Sequence, residues 1–233
     1  MQAVILAGGK GTRLKPFTTN FPKPLVPIDD IPILEVVLRQ LKKAGFTHII
    51  LAVNHLAELI MAFFGNGDKF GVKIEYSIED EPLGTAGPLR IVNNLQENFL
   101  VMNGDLLTTI DYKNLYDDHC SANADATIAS YKKDIKIDLG VLKTEKGIFQ
   151  DYIEKPTYSF EVSMGIYAMN RSVLEYIPLN KKFDLPELML ALHREKKHIK
   201  CYRGEYYWLD IGRVDDYDAA NEIFKNKRDE FLP

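Results

Sequence analysis

The sequence predicts an α/β fold with a mixed, mostly parallel central sheet. Three features carry this expectation: apolar runs of strand length alternate with stretches of helical periodicity, the first strand opens directly into a glycine-rich turn, and the strand-helix rhythm repeats through the first half of the 233 residues. Such alternation calls for right-handed crossovers, which set the strands parallel and lay helices on both faces of the sheet.

Residues 2–6 read as a short buried strand. Residues 33–44 read as an amphipathic helix, because Leu34, Val37, Leu38 and Leu41 recur at helical spacing and Gly45 stops the run. A second strand follows at 48–53, then a helix at 58–64 with Gly65 beyond it, a third strand at 74–78, a short helix at 88–94 and a strand at 99–103. The second half is less regular, with strands at 126–131, 140–144, 148–153 and 163–169, a helix from about 185 to 196, a strand at 198–203 and a helix at 214–226. Asp184-Leu185-Pro186-Glu187 marks one helix start, since an aspartate caps the first amides and proline is tolerated in the first turn. No linker, repeat or composition shift divides the chain, so residues 1–233 are expected to form one domain.

Composition narrows the function. Hydrophobic residues are 46% of the chain and charged residues 27%, which is not the signature of a disordered protein. With 29 basic against 33 acidic side chains, the net charge of -4 argues against a nucleic-acid binder and leaves small molecules or proteins as partners. The first residues lack a basic segment, and the apolar runs fall far short of the roughly 18 residues a membrane span needs, so a cytoplasmic protein without membrane association is expected. Cys120 and Cys201 fit neither a disulfide framework nor a metal site and are expected to be buried free thiols. The five histidines show no metal-ligand spacing and read as surface or core residues.

The segment Leu6-Ala7-Gly8-Gly9-Lys10-Gly11-Thr12-Arg13 leaves a strand end, where glycines let backbone amides approach an anion and form a phosphate nest. It matches neither the GxxxxGK[ST] nor the GxGxxG spacing. Ten residues after Arg13, Pro22 and Pro24 flank Lys23 and are expected to hold it in extended backbone, ready to meet a phosphate without a large entropy loss.

Together, LAGGKGTRLKPFTTNFPKPLVPI closely resembles the signature of the sugar-1-phosphate nucleotidylyltransferases, and further family-like motifs extend the resemblance over nearly the whole chain. The resemblance implies a three-layer α/β/α Rossmann-like domain of the nucleotide-diphospho-sugar transferase fold, with a nucleotide-binding half at about 1–110 and a sugar-phosphate-binding half at about 111–233. It implies that Leu6, Ala7, Gly8, Gly9, Gly11 and Thr12 wrap a nucleoside triphosphate, that Arg13 stabilises the pyrophosphate leaving group, and that Lys23 contacts phosphates near the reacting centre.

Asp105 follows the strand at 99–103, at the end where α/β folds place ligands, and Asp210 lies in Tyr207-Trp208-Leu209-Asp210-Ile211-Gly212. Taken alone, either aspartate reads as a turn or cap residue. Two carboxylates with phosphate oxygens suit Mg²⁺, and the resemblance implies that both are its ligands, with Asn103 beside them at the nucleotide. Glu154-Lys155-Pro156 is similar to the family's EKP motif, which implies sugar-phosphate contacts from Lys155 and Glu154, joined by Gly140, Ser163, Gly165 and Asp210. Ser163 and Met164 stand where the family's motif has asparagine and alanine, which leaves recognition of the sugar 2-substituent open. Base recognition is implied near Glu81-Pro82-Leu83-Gly84-Thr85-Ala86-Gly87-Pro88-Leu89, with Gly84, Thr85 and Ala86 at the nucleotide. That segment is similar to mannose-1-phosphate guanylyltransferases, and FDLPEL and EYYWLDIGRVDDYDAAN look like related sugar guanylyltransferases.

The expected reaction joins GTP to a mannose-, heptose- or glucosamine-type 1-phosphate, releasing pyrophosphate. UTP, CTP or dTTP remain alternatives, as does a homo-oligomeric assembly. A glycosyltransferase or a non-catalytic subunit on the same fold are rivals of another class. The Asp-x-Asp letters a glycosyltransferase would use fall at Asp216-Tyr217-Asp218, in a predicted helix rather than at a strand end.

Overall fold

The computed structural model of the chain describes residues 1–232. Along the first half lie β1 (Gln2–Leu6), β2 (Pro27–Ile28), β3 (Ile31–Pro32), α1 (Ile33–Lys43), β4 (His48–Val53), α2 (Ala57–Phe64), β5 (Lys73–Ile78), β6 (Asn98–Asn103) and β7 (Leu106–Thr108). Then come α3 (Tyr112–Ser121), β8 (Ala126–Lys136), β9 (Val141–Glu145), β10 (Ile148–Ile153), β11 (Thr157–Asn170), α4 (Leu185–Arg194), β12 (Ile199–Arg203), β13 (Trp208–Asp210), α5 (Val214–Asn226) and α6 (Arg228–Phe231).

Seven strands make the central sheet in the order β12-β8-β11-β6-β1-β4-β5. The β1, β4, β5 and β6 pairings are parallel, as is β12 with β8, while β11 runs antiparallel to both β6 and β8. Alternation along the strands sends side chains to two separate cores. Ala3 and Ile5 of β1 pack with Leu34, Val37, Leu38 and Leu41 of α1, whereas Val4 faces the other way and packs with Leu185, Leu188 and Leu192 of α4. A third apolar cluster joins Leu14, Ile28 and Ile33 to Ala220, Phe224 and Phe231, so the carboxy-terminal helices clamp the segment that follows the glycine turn. The protein is therefore a three-layer α/β/α fold, as expected.

Several local expectations change. The stretch 112–121 is helical, its start marked by Asp111, whose carboxylate accepts from Asn114 N at 2.9 Å. The expected helix at 88–94 is only a 3₁₀ turn over Gly87–Arg90, with Pro88 at its start. Lys23 opens a 3₁₀ turn, Lys23–Leu25, instead of lying in extended backbone; only Pro22 before it is extended, and Pro24 sits in the first turn where a missing N–H costs little. The strands expected at 126–131 and 163–169 are longer: β8 and β11 pair continuously from Lys136↔Thr157 to Tyr131↔Val162 and project past the sheet as an arm carrying the β9/β10 hairpin. Neither cysteine is buried. Cys120 is on the outer side of α3 and Cys201 is on the edge strand β12, and both are exposed. Among the described residues no helix is long and apolar enough to cross a membrane.

Candidate active site

Because β1, β4, β5 and β6 run parallel, Leu6, Val53, Ile78 and Asn103 end along one edge of the sheet, and the residues just after them share a cleft. In the sheet β1 lies between β4 and β6, so successive crossovers leave it in opposite directions, the arrangement that opens a ligand crevice at the carboxyl ends of the strands. A cavity of about 340 Å³ occupies that crevice. Its walls are Leu6, Ala7, Gly8 and Gly9 after β1, Asn54 after β4, Glu79 after β5, Asn103 and Asp105 at β6, the loop residues Pro82, Gly84 and Thr85, and the cations Lys23 and Lys182.

A second cavity of about 260 Å³ is lined by Ser163, Met164, Gly165, Tyr167, Leu185, Pro186, Trp208 and Asp210. Thr85 and Asn103 line both cavities, so the two are neighbours that share these side chains. The shape of the second cavity follows from an irregularity in β11: Ser163 pairs with Ser130, but the next pairing is Tyr167 with Ile128, leaving Met164-Gly165-Ile166 bulged. Gly165 has φ +72°, and a Cβ there would come within 2.6 Å of Asn103 Nδ2, so only glycine lets the bulge approach Asn103. Trp208 Nε1 donates to Met164 O at 3.0 Å and fixes the far wall.

The charged groups meet where the cavities adjoin. The short β7 and β13 pair antiparallel, Leu106 opposite Asp210, and Ile211 N donates to Asp105 O at 3.1 Å, which sets the two aspartates side by side. Lys23 is ion-paired with Asp105, the lysine almost wholly withdrawn from solvent. Burial pushes the Asp210 carboxyl above its ordinary value and the Asp105 charge adds to the rise, while Lys23 and Arg13 oppose it. Arg13 stands over Gly212, its guanidinium 3.4 Å from where a Cβ would sit. An Asp210 carboxyl raised by burial and by the Asp105 charge beside it is one that a divalent cation would relieve, and two carboxylates plus phosphate oxygens suit Mg²⁺.

Of the residues singled out in the sequence, Leu6, Ala7, Gly8, Gly9, Lys23, Gly84, Thr85, Asn103 and Asp105 meet in the first cavity, and Ser163, Gly165 and Asp210 in the second. Gly11, Thr12 and Arg13 line neither. Gly11 holds a φ of +59° at the turn into the 3₁₀ segment Thr12–Leu14, and its carbonyl accepts from Thr18 Oγ1 at 2.6 Å. Ala86 is fully buried beneath its loop. Gly140, Glu154 and Lys155 lie on the projecting arm and line neither cavity. Asp216 and Asp218 lie within α5.

Sequence reasoning missed Glu79, Asn54 and Lys182. The first two were within reach, since each directly follows a predicted parallel strand, the place where such sheets present ligand-binding groups. Glu79 is only 8% exposed; one oxygen accepts from Leu83 N at 2.9 Å, and the other lies beside Gly8, 3.2 Å from where a Cβ would be. Burial pushes its carboxyl upward, opposed by the Leu83 hydrogen bond. Asn54 Nδ2 donates to Glu79 O at 2.7 Å and braces it.

The glycine loop after β1, the aspartate pair and Lys23 thus gather at the carboxyl ends of the parallel strands, where α/β folds bind their ligands. Residues 2–227 match the family described as nucleotidyl transferase, and the chain belongs to that family. It is 33% identical over 225 residues to the D-glycero-alpha-D-manno-heptose 1-phosphate guanylyltransferase of Aneurinibacillus thermoaerophilus, covering 95% of this chain and 97% of that one. It is 34% identical over 241 residues to the UTP--glucose-1-phosphate uridylyltransferase of Synechocystis sp. (strain ATCC 27184 / PCC 6803 / Kazusa), covering 94% of this chain but spanning only 62% of that relative's length. The crystal structure of HddC from Yersinia pseudotuberculosis superposes with a TM-score of 0.75 at 30% identity, over 96% of this chain and 99% of that chain.

Proposed function

We propose that the protein is a sugar-1-phosphate guanylyltransferase that joins GTP to a mannose- or heptose-type 1-phosphate, with residues 1–233 acting as one catalytic domain. The observation that carries the reaction is the pair Asp105 and Asp210, one from each half of the chain, set between Lys23 and Arg13 where the two cavities meet. An oxygen of the sugar 1-phosphate bonds to the α-phosphorus of GTP, the bond from that phosphorus to the oxygen bridging to the β-phosphorus breaks, and pyrophosphate leaves. The attacking phosphate is already an anion, so no protein nucleophile is needed, and the protein contributes alignment and charge neutralisation.

The triphosphate follows the amides of Ala7, Gly8 and Gly9 and continues past Gly11 and Thr12 towards Arg13, which holds the leaving pyrophosphate. Lys23, tethered to Asp105, meets the phosphates nearest the reacting centre. Asp105 and Asp210 would hold Mg²⁺, which would supply neutralisation of the charge that builds on the phosphate oxygens. The sugar phosphate lies against Ser163, Gly165 and Asp210, with Trp208 as a wall. Contacts from Gly140, Glu154 and Lys155 rest on motif resemblance alone.

Glu79 supports guanine over uracil. An ionised carboxylate only accepts hydrogen bonds. Guanine offers two adjacent donors, N1–H and the 2-amino group, whereas uracil offers one N3–H between two carbonyls that a carboxylate repels. The experiment is a matrix of GTP, CTP, UTP and dTTP against mannose, heptose, glucose and glucosamine 1-phosphates with a pyrophosphate readout. GTP is expected to lead; a clear lead for UTP or dTTP overturns the base assignment, and no pyrophosphate from any pair overturns the reaction.

A further inference from the structure

We propose that Asp184 is a positioning residue that ties the base loop at 79–87 to the helix forming the sugar-side wall, so that the two substrate compartments are shaped together. This rests on the proposed two-substrate reaction and adds to it a residue that touches neither reacting group.

Asp184 Oδ1 accepts from Thr85 N at 2.8 Å and from Thr85 Oγ1 at 3.1 Å. Thr85 Oγ1 in turn accepts from Leu185 N at 2.8 Å, so a hydroxyl from a loop 100 residues away satisfies the first amide of α4. Backbone bonds continue the seam: Ala86 N and Gly87 N donate to Phe183 O at 2.9 and 3.0 Å, and Phe183 N donates to Leu83 O at 2.9 Å. The approach is so close that a Cβ at Gly84, whose φ is +82°, would sit 2.6 Å from Asp184 Oδ1. Asp184 is itself held, its N donating to Glu187 Oε2 at 2.8 Å.

The seam joins two walls. Gly84 and Thr85 line the nucleotide cavity, Leu185 and Pro186 line the sugar cavity, and Thr85 lines both. Asp184 provides the one side-chain oxygen on which both Thr85 donors converge, and those bonds hold Thr85 with its hydroxyl turned to α4. Releasing it frees the loop and the first turn of α4 at once, loosening binding of both substrates while Asp105, Asp210, Lys23 and Arg13 stay in place.

The test compares Asp184→Ala, Asp184→Ser and Asp184→Asn in the full chain, by equilibrium titration with GTP and with mannose 1-phosphate and by steady-state kinetics. Serine keeps a hydroxyl able to cap α4 but is too short to hold both Thr85 donors; asparagine keeps the accepting oxygen. Alanine and serine are expected to weaken binding of each substrate about tenfold with kcat within about threefold, and asparagine to restore both to near the wild-type values. The proposal is overturned if serine matches wild type, if only one substrate is affected, if kcat falls with binding unchanged, or if asparagine restores nothing. Should Asp184→Ala fail to fold, Asp184→Ser, which keeps a capping hydroxyl, decides the matter by the same readout. A wild-type protein that binds both ligands without releasing pyrophosphate sinks the proposed reaction and leaves the binding comparison intact.

Discussion

Ile211 N donates to Asp105 O at 3.1 Å, so the backbone between Asp210 and Gly212 is fastened to the first aspartate rather than merely near it. That one bond, with the β7/β13 pairing behind it, brings together carboxylates 105 residues apart in sequence. It also places Asp210 where burial and the Asp105 charge both disfavour its ionised form.

Replacing Asp105 by alanine removes a proposed metal ligand and leaves Lys23, which is largely buried, without its partner. Turnover is expected to fall by about 10³-fold or more, some 4 kcal/mol in the barrier. A pyrophosphate-release assay at saturating Mg²⁺ checks this, and near-wild-type turnover would refute the metal-ligand role.

Asp210→Asn separates stability from catalysis. A carboxyl whose folded value is raised contributes stability below its unfolded value and loses it as pH rises through the folded value, so at neutral pH the ionised form is a burden on the fold. Asp210→Asn is expected to melt as high as or higher than wild type in chelated buffer while losing turnover. Added Mg²⁺ with nucleotide should raise the wild-type melting temperature and leave that of Asp210→Asn nearly unmoved. A scan of melting temperature with and without Mg²⁺ is the measurement.

Glu79→Gln keeps the shape of the cleft but replaces an acceptor with a group that also donates. The value of kcat/KM for GTP is expected to drop about 10²-fold, near 2.7 kcal/mol, with little change for UTP, so the ratio between the two nucleotides is the quantity to measure. Because burial raises the Glu79 carboxyl, KM for GTP in the wild type should climb on acidification earlier than an ordinary glutamate would allow, and that limb should vanish in Glu79→Gln.

His119 sits fully buried between Thr127 Oγ1 at 2.9 Å and Asn98 Oδ1 at 3.3 Å, and burial holds its imidazole below the ordinary value of 6.5. The unfolded chain then takes up this proton first as pH falls. Its contribution is therefore present above about 6.5 and is lost as pH descends through the folded value. Thermal unfolding between about pH 7.5 and about pH 5 should show a steeper loss for wild type than for His119→Gln, about 2–4 °C for each ~1 kcal/mol of linkage. Equal slopes would exclude His119 as the source.

The centre of the parallel half was legible because β1, β4 and β6 are buried on both faces and read as near-continuous apolar runs, as Gln2–Leu6 and His48–Val53 do. The helix at 112–121 was hidden by its composition: Tyr112, Leu115 and His119 are its buried side chains, and the residues among them are mostly polar. The arm was foreshortened for a related reason. Beyond Tyr131 the pairing of β8 with β11 leaves the sheet, and burial stops patterning the side chains there: Ile135 and Phe160 are exposed.

By itself, then, the sequence determined a glycine turn able to meet an anion at the end of the first strand, because glycines act through local backbone geometry, and its motifs carried the resemblance that implied the reaction class. Only the tertiary structure decided which groups share a cleft. Sheet order put Glu79 opposite Gly8, ribbon pairing put Asp210 against Asp105, and a loop-to-helix seam put Thr85 on Asp184. It also set Gly140, Glu154 and Lys155 out on an arm whose direction is fixed by strand pairing between β8 and β11, a long-range contact that no local pattern around those residues encodes.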